Sequence, residues 1–141
     1  MKIGTYPIAW DQRPGAGCAT FADVLREKDE GTPRRYPVAA DRAWDIAKTV
    51  FRWAGAERLE EHRAEGYILA TDAPDRRDYG TVMAAWVERD PDGETRVTVR
   101  TQSRMLLNPA LLLTEEDFHR RFVQAMRLMQ DGRPLPAQPP E

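Results

Sequence analysis

The chain has 141 residues and a mass of 16.1 kDa, enough for one ordinary domain with tails and too little for two well-buried cores. Its 21 Lys+Arg against 23 Asp+Glu, with a pI near 5.8, exclude a general cationic field for nucleic acid or an anionic membrane. A single cysteine excludes an internal disulfide framework and a CxxC zinc site, and the longest apolar run, Val82 to Val87, is far short of the ~20 residues a transmembrane helix needs.

Residues 1–33 read as a flexible tether. Pro7, Pro14, Gly4, Gly15 and Gly17 break every period in the first twenty positions. Ala22 to Lys28 has the makings of a short helix, stopped by Gly31 and Pro33. Arg34 to Val38 then reads as a first strand, with Pro37 arguing for an edge or a strand end. The strongest helical signal follows, over residues 40–54. At ~100° per residue, Ala43, Trp44, Ile46, Ala47, Val50, Phe51, Trp53 and Ala54 share one half of the wheel. Asp45, Lys48, Thr49 and Arg52 take the other half. Asp41 serves as N-cap or as first-turn acid, and Gly55 stands where a left-handed residue ends a helix.

Strand signals fill the middle of the chain. Arg58 to His62 is weakly patterned, and Ala64-Glu-Gly66 turns it into Tyr67 to Thr71. Tyr79 to Arg89 leads into Asp90-Pro-Asp-Gly93, a hairpin turn because Pro pre-sets φ and Gly accepts φ > 0. Glu94 to Gln102 alternates, with Thr95, Val97, Val99 and Thr101 on one face and Arg96, Thr98, Arg100 and Gln102 on the other. Thr114-Glu-Glu-Asp117 has capping-box spacing and opens a second helix striped by Phe118, Phe122, Ala125, Met126 and Met129. Asp131-Gly132 ends that helix, and residues 132–141 read as a disordered Pro-rich tail.

The order β-α-β-β-β-β-α over residues 34–131 implies an α+β fold. Its expected form is an antiparallel four- to five-stranded meander sheet with two helices on one face. The face bearing Arg96, Thr98, Arg100 and Gln102 is expected to meet water or a partner.

The run Tyr36-Pro-Val-Ala-Ala-Asp-Arg-Ala-Trp-Asp-Ile-Ala, then Gly55-Ala-Glu, then Glu61-His-Arg-Ala-Glu-Gly-Tyr-Ile resembles a known layout. It is similar to the small helix-grip domains of bacterial envelope lipoproteins related to the C component of the outer-membrane β-barrel assembly machine. There a strand ending in a Val-Pro-like step precedes a helix with an early Trp. A Gly and an Arg-x-x-Gly-hydrophobic hairpin follow. The likeness covers residues 34–71 closely and the rest by order of elements, and its motifs are packing motifs. It implies a helix-grip-like α+β domain with no catalytic role and an accessory or binding task. A shorter stretch, Ala16-Gly-Cys18-Ala-Thr-Phe, resembles the start of a mature bacterial lipoprotein, which makes Cys18 the lipidation candidate. Gly15 stands where that motif has a Leu-like residue, and Met1 to Pro14 holds no apolar export segment, so lipidation calls for a start and signal upstream.

No set of side chains converges on a reaction in the sequence. Glu116-x-x-His119 has the i, i+3 spacing of di-iron bundles but lacks a second copy, and the chain has only 2 histidines. Glu115 and Glu116 serve more simply as acids at a helix N-terminus. In Glu60-Glu61-His62, alternation sends Glu61 to the opposite face from the other two. Ser103 and Cys18 have no placed base, and Gly15-Ala-Gly17 neither follows a strand nor opens a helix. Arg76 and Arg77 sit among Asp75 and Asp78, which neutralise them. No metal, cofactor or catalytic residue is therefore assigned.

Met105 to Leu113 is apolar at eight of nine positions, and Asn108-Pro109 forbids one helix across it. It reads as a connector over the open end of the core, or as an exposed patch at Met105, Leu106 and Leu107 for a partner or lipid. Trp44 and Trp53, at opposite margins of the first helix's apolar arc, fill the core edge or line a pocket. The expectation is a non-enzymatic interaction or accessory module of the bacterial cell envelope, tethered at Cys18, with a protein partner, no nucleic acid, and a membrane only through its anchor. The competing expectation is a soluble cytoplasmic domain holding a small apolar ligand between sheet and helices.

Overall fold

The computed structural model describes residues 21–72, 81–103 and 113–140. Its elements are α1 (Phe21–Leu25), β1 (Thr32–Tyr36), α2 (Ala40–Trp53), β2 (Arg58–His62), β3 (Tyr67–Thr71), β4 (Thr81–Arg89), β5 (Thr95–Ser103) and α3 (Glu115–Gln130). A single 3₁₀ turn, Lys28–Glu30, joins α1 to β1. The fold is α+β, built on one open antiparallel sheet in the order β1-β5-β4-β3-β2.

Strands β2 to β5 form the meander, and β1 adds to its far side by pairing Tyr36 with Thr95 and Thr32 with Val99. The first two strands thus lie at opposite edges. Four strand spacings of ~4.8 Å put them roughly 19 Å apart. The 14 residues of α2 span about 21 Å at 1.5 Å each, so this helix has the length to cross the sheet. β1 starts two residues earlier than the sequence suggests and stops before Pro37, taking in Pro33 instead. An edge strand tolerates that proline because no second neighbour needs its missing N–H.

Helices α2 and α3 cover the inner face. Ala43, Ile46, Ala47, Val50 and Phe51 from α2 and Phe118, Phe122 and Ala125 from α3 are fully buried with Ile68, Met83, Ala85, Val97 and Val99 of the sheet. The expected helical stripes and the β5 alternation both face this core. Gly55 follows α2 at φ 90° and Gly93 turns the β4–β5 hairpin at φ 92°, the left-handed conformations their positions require. Ala39, not Asp41, is the N-cap of α2, and Asp41 is its first-turn acid.

The outer face is not left open. Val24 of α1 is fully buried with Leu69, Val82, Ala84 and Trp86, so the sheet carries a second, smaller apolar cluster there. This explains why β4, buried on both faces from Thr81 to Val87, reads as a continuous apolar run rather than an alternating one. The 3₁₀ region adds ion pairs: Glu27 accepts from Arg100 Nε at 2.7 Å and from Gln102, and Lys28 lies 2.7 Å from Glu88. The four residues expected to meet water or a partner are thus taken up within the chain: Arg100 and Gln102 bond Glu27, Arg96 bonds Asp90, and Thr98 is buried.

The tail also packs. Arg133 N–H donates to Leu128 O, Leu135 reaches the inner core cluster, and Trp53 Nε1–H donates to Pro136 O at 2.8 Å. Helix α3 itself starts where the capping signal lies. The Thr114 hydroxyl accepts from Asp117 N at 3.0 Å, while the Asp117 carboxylate turns to Arg120 rather than closing the box. Thr114→Ala should therefore cost about 1 kcal/mol in a denaturant titration, and Thr114→Ser should restore most of it.

Candidate functional site

The capped start of α3 sets a polar cluster against the β1 edge. With Phe118 and Phe122 turned into the core, the next residue along, His119, faces β1 and is 1% exposed. Its Nδ1 lies 2.6 Å from the Tyr36 hydroxyl and its Nε2 lies 2.8 Å from Thr32 O. A backbone carbonyl only accepts, so Nε2 carries the proton and Nδ1 accepts from the phenol. Burial disfavours the imidazolium and holds the His119 pKa below its usual value, though the Thr32 bond works the other way. Burial likewise pushes the Tyr36 phenol well above the ordinary tyrosine range. The pair is neutral and mutually satisfied.

Glu115 completes this corner. It accepts from the Thr32 hydroxyl at 2.6 Å and from Thr101 N at 3.0 Å. Thr101 lies on β5 beyond the last β1 partner, so the carboxylate takes the place of a strand that has run out. Glu116 behaves differently: its side chain is 75% exposed and lies 3.5 Å from Arg34. Glu116 and His119 therefore do not converge on one point, and both imidazole nitrogens are already bonded. Their i, i+3 spacing serves the fold.

A second cluster ties α2 to the β2 edge. Trp44 Nε1–H donates to Glu61 at 2.7 Å, Lys48 lies 3.2 Å from the same carboxylate, and the Arg63 guanidinium stacks 5.0 Å over the Trp44 ring. The Trp44 hydrogen bond, then Lys48, lowers the Glu61 pKa. On the opposite face Glu60 sits 3.3 Å from His62, which stacks on Tyr67 with centroids 4.7 Å apart. The triplet Glu60-Glu61-His62 is split as alternation requires.

The third cluster lies at the β4–β5 hairpin. Asp90 accepts from Arg96 at 2.7 and 3.2 Å and from Arg35 at 3.4 Å, and the Arg96 bonds lower its pKa. In the sequence Asp90 is legible only as a turn residue. The signal for its second role is Arg96, placed on the same side of the hairpin by the strand alternation.

The remaining sequence candidates divide cleanly. Trp44 is buried at the core edge, and Trp53 is half-buried at the end of α2. Cys18, Arg76, Arg77, Met105, Leu106 and Leu107 lie outside the described residues, and Ser103 ends β5. Among the described residues no three His, Cys, Asp or Glu side chains gather as a metal site. No described helix is long and apolar enough to cross a membrane. Comparison with protein-family models, with curated proteins and with solved structures returns no match. The functional reading rests on residues and geometry.

Proposed function

We propose that this chain is a non-enzymatic interaction module of the bacterial cell envelope, anchored through lipid at Cys18 and acting on a protein partner. The observation that carries this reading is how the interior is spent. Phe51 and Phe118 meet at 5.0 Å between helices and sheet, and Tyr36 stacks on Phe122 at 4.3 Å. Among the described residues, buried aromatic rings fill the interior between helices and sheet, which favours the interaction reading over the ligand one. Tyr36, His119 and Glu61, the groups best suited to proton transfer, are engaged with one another or with Trp44 and Lys48. The resemblance of residues 34–71 to envelope lipoprotein domains is what favours the envelope as the location. Produced from its native gene, the chain should fractionate with membranes and incorporate a labelled fatty acid, and Cys18→Ser should release it. An unlabelled wild-type chain in the soluble fraction overturns the envelope reading.

A further inference from the structure

Residues 133–140, Arg-Pro-Leu-Pro-Ala-Gln-Pro-Pro, are half proline, a composition that normally stays in solvent. Here they lie against the two helices. Gly132 at φ 74° reverses the chain after α3, and Arg133 N–H closes the reversal on Leu128 O at 2.9 Å. From there the segment meets three fixed points. Leu135 packs against the inner core cluster, beside which Trp53, Val123 and Met129 also sit half-buried. The Trp53 indole N–H donates to Pro136 O at 2.8 Å. The Arg121 guanidinium donates to Pro140 O at 2.7 Å and is itself steadied by Gln124 at 2.9 Å.

The chemistry of these points is specific. A proline contributes no N–H, so a proline-rich segment offers more carbonyl acceptors than backbone donors. An indole N–H and a guanidinium are donors only, which matches that one-sided demand. The two carbonyls read are four residues apart, on either side of a bend at Ala137 and Gln138. With four of eight residues fixed in φ as prolines, such a segment loses less entropy on docking, and an aromatic surface with an N–H donor is a recurrent way of holding proline-rich chain. One leucine anchor and two side-chain bonds make a modest hold, kept in place by an effective concentration on the millimolar order.

We infer that the seam between α2 and α3, marked by Trp53 and Arg121, is a docking site for a proline-rich segment of another protein carrying a Leu-Pro step. Residues 134–140 are its tethered competitor. A partner segment gains the site by displacing the tail, so the chain's own sequence sets the threshold for binding. The inference deepens the interaction reading by naming a surface and a partner class. It does not depend on location, so failure of the fatty-acid labelling leaves it standing, and failure of the experiment below leaves the anchor standing.

The test uses the full chain and the Trp53 indole ¹⁵N–H resonance, assigned by its loss in Trp53→Phe. In the wild type this resonance holds its docked position. In Leu135→Ser, whose core amide spectrum should match the wild type, it should move to a solvent-exposed position. A synthetic peptide of residues 133–140 should return it, binding Leu135→Ser at least tenfold more tightly than the wild type. The peptide with Ser for Leu should have no effect. Arg121→Gln gives a second, milder opening that loosens only the far end and should bind the peptide with intermediate affinity. An unmoved indole resonance in both variants, or no peptide response at millimolar concentration, overturns the inference. Concentration-dependent dimers of the wild type that recapture the resonance through each other's tails also overturn it, in favour of exchange between copies.

Discussion

Phe51→Ala should lower the unfolding free energy by about 3–5 kcal/mol, the largest effect expected of any single truncation in the inner core. The ring is fully buried, contacts Phe118 at a centroid distance of 5.0 Å, and shares its cluster with Val97 and Val99 of β5. Removing it takes away the transfer free energy of the ring and leaves a cavity between three elements that cannot all collapse together. For a domain whose total stability lies in the range of about 5–15 kcal/mol, this is a large fraction. Urea titration of the variant measures it. An unchanged midpoint would take α2 out of the core and undo the architecture.

The second large effect belongs to His119. Replacing it by Leu strands the Tyr36 hydroxyl and the Thr32 carbonyl, at roughly 1–3 kcal/mol for each buried group left unpaired. The wild-type pair should also make stability depend on pH. The unfolded imidazole titrates near 6.5, whereas burial holds the folded value lower. The neutral side chain therefore contributes fully above pH 6.5, and that contribution is lost as pH falls from 6.5 toward the folded value. Arg34, which disfavours the imidazolium, and Glu115 and Glu116, which favour it, are the charges that face the ring. Glu61 and Asp90, whose carboxyls are lowered by Trp44 and Arg96, lose their contributions in a separate window, below the ordinary carboxylate values of 4.5 and 3.8. Melts between about pH 7.5 and 5, in a His62→Gln background that leaves one imidazole, sample the upper window apart from the carboxylates. His119→Leu should flatten the upper one. An unchanged slope would mean that the imidazole is not neutral and buried in the folded chain.

Much of the architecture is local in origin, and that part is legible in the residues. The inner stripe of α2 repeats over four turns, β5 alternates for eight residues, and Pro91 with Gly93 marks the hairpin between β4 and β5. The parts that escape a reading of the sequence are short or distant. Helix α1 has 5 residues, a little over one turn, so its buried Val24 carries no period. Tyr36 and His119 are 83 positions apart, and no local pattern links a strand-end tyrosine to a helix histidine. The histidine in a metal-like spacing instead spends both nitrogens on β1. Likewise the proline-rich tail has the composition of a solvated segment, and the surface that holds it, marked by Trp53 and Arg121, exists only once α2 and α3 are neighbours. Side-chain pairing of this kind depends on which elements become neighbours, which periodicity does not encode.

The sheet order also bears on how the chain comes to be folded. The turns Arg63–Gly66 and Asp90–Glu94 close small loops, so the four-stranded meander can assemble from neighbours. Strand β1 has no such neighbour. Tyr36 leaves the ribosome about sixty residues ahead of Thr95, its partner, and waits through the synthesis of everything between. Until β1 docks and Glu115 is made, the β5 edge offers free N–H and C=O groups to any passing strand. The hazard for this protein is thus greatest before completion. A nascent chain stalled after Ser103 would hold every described strand and lack the helix whose Glu115 closes the edge beyond β1.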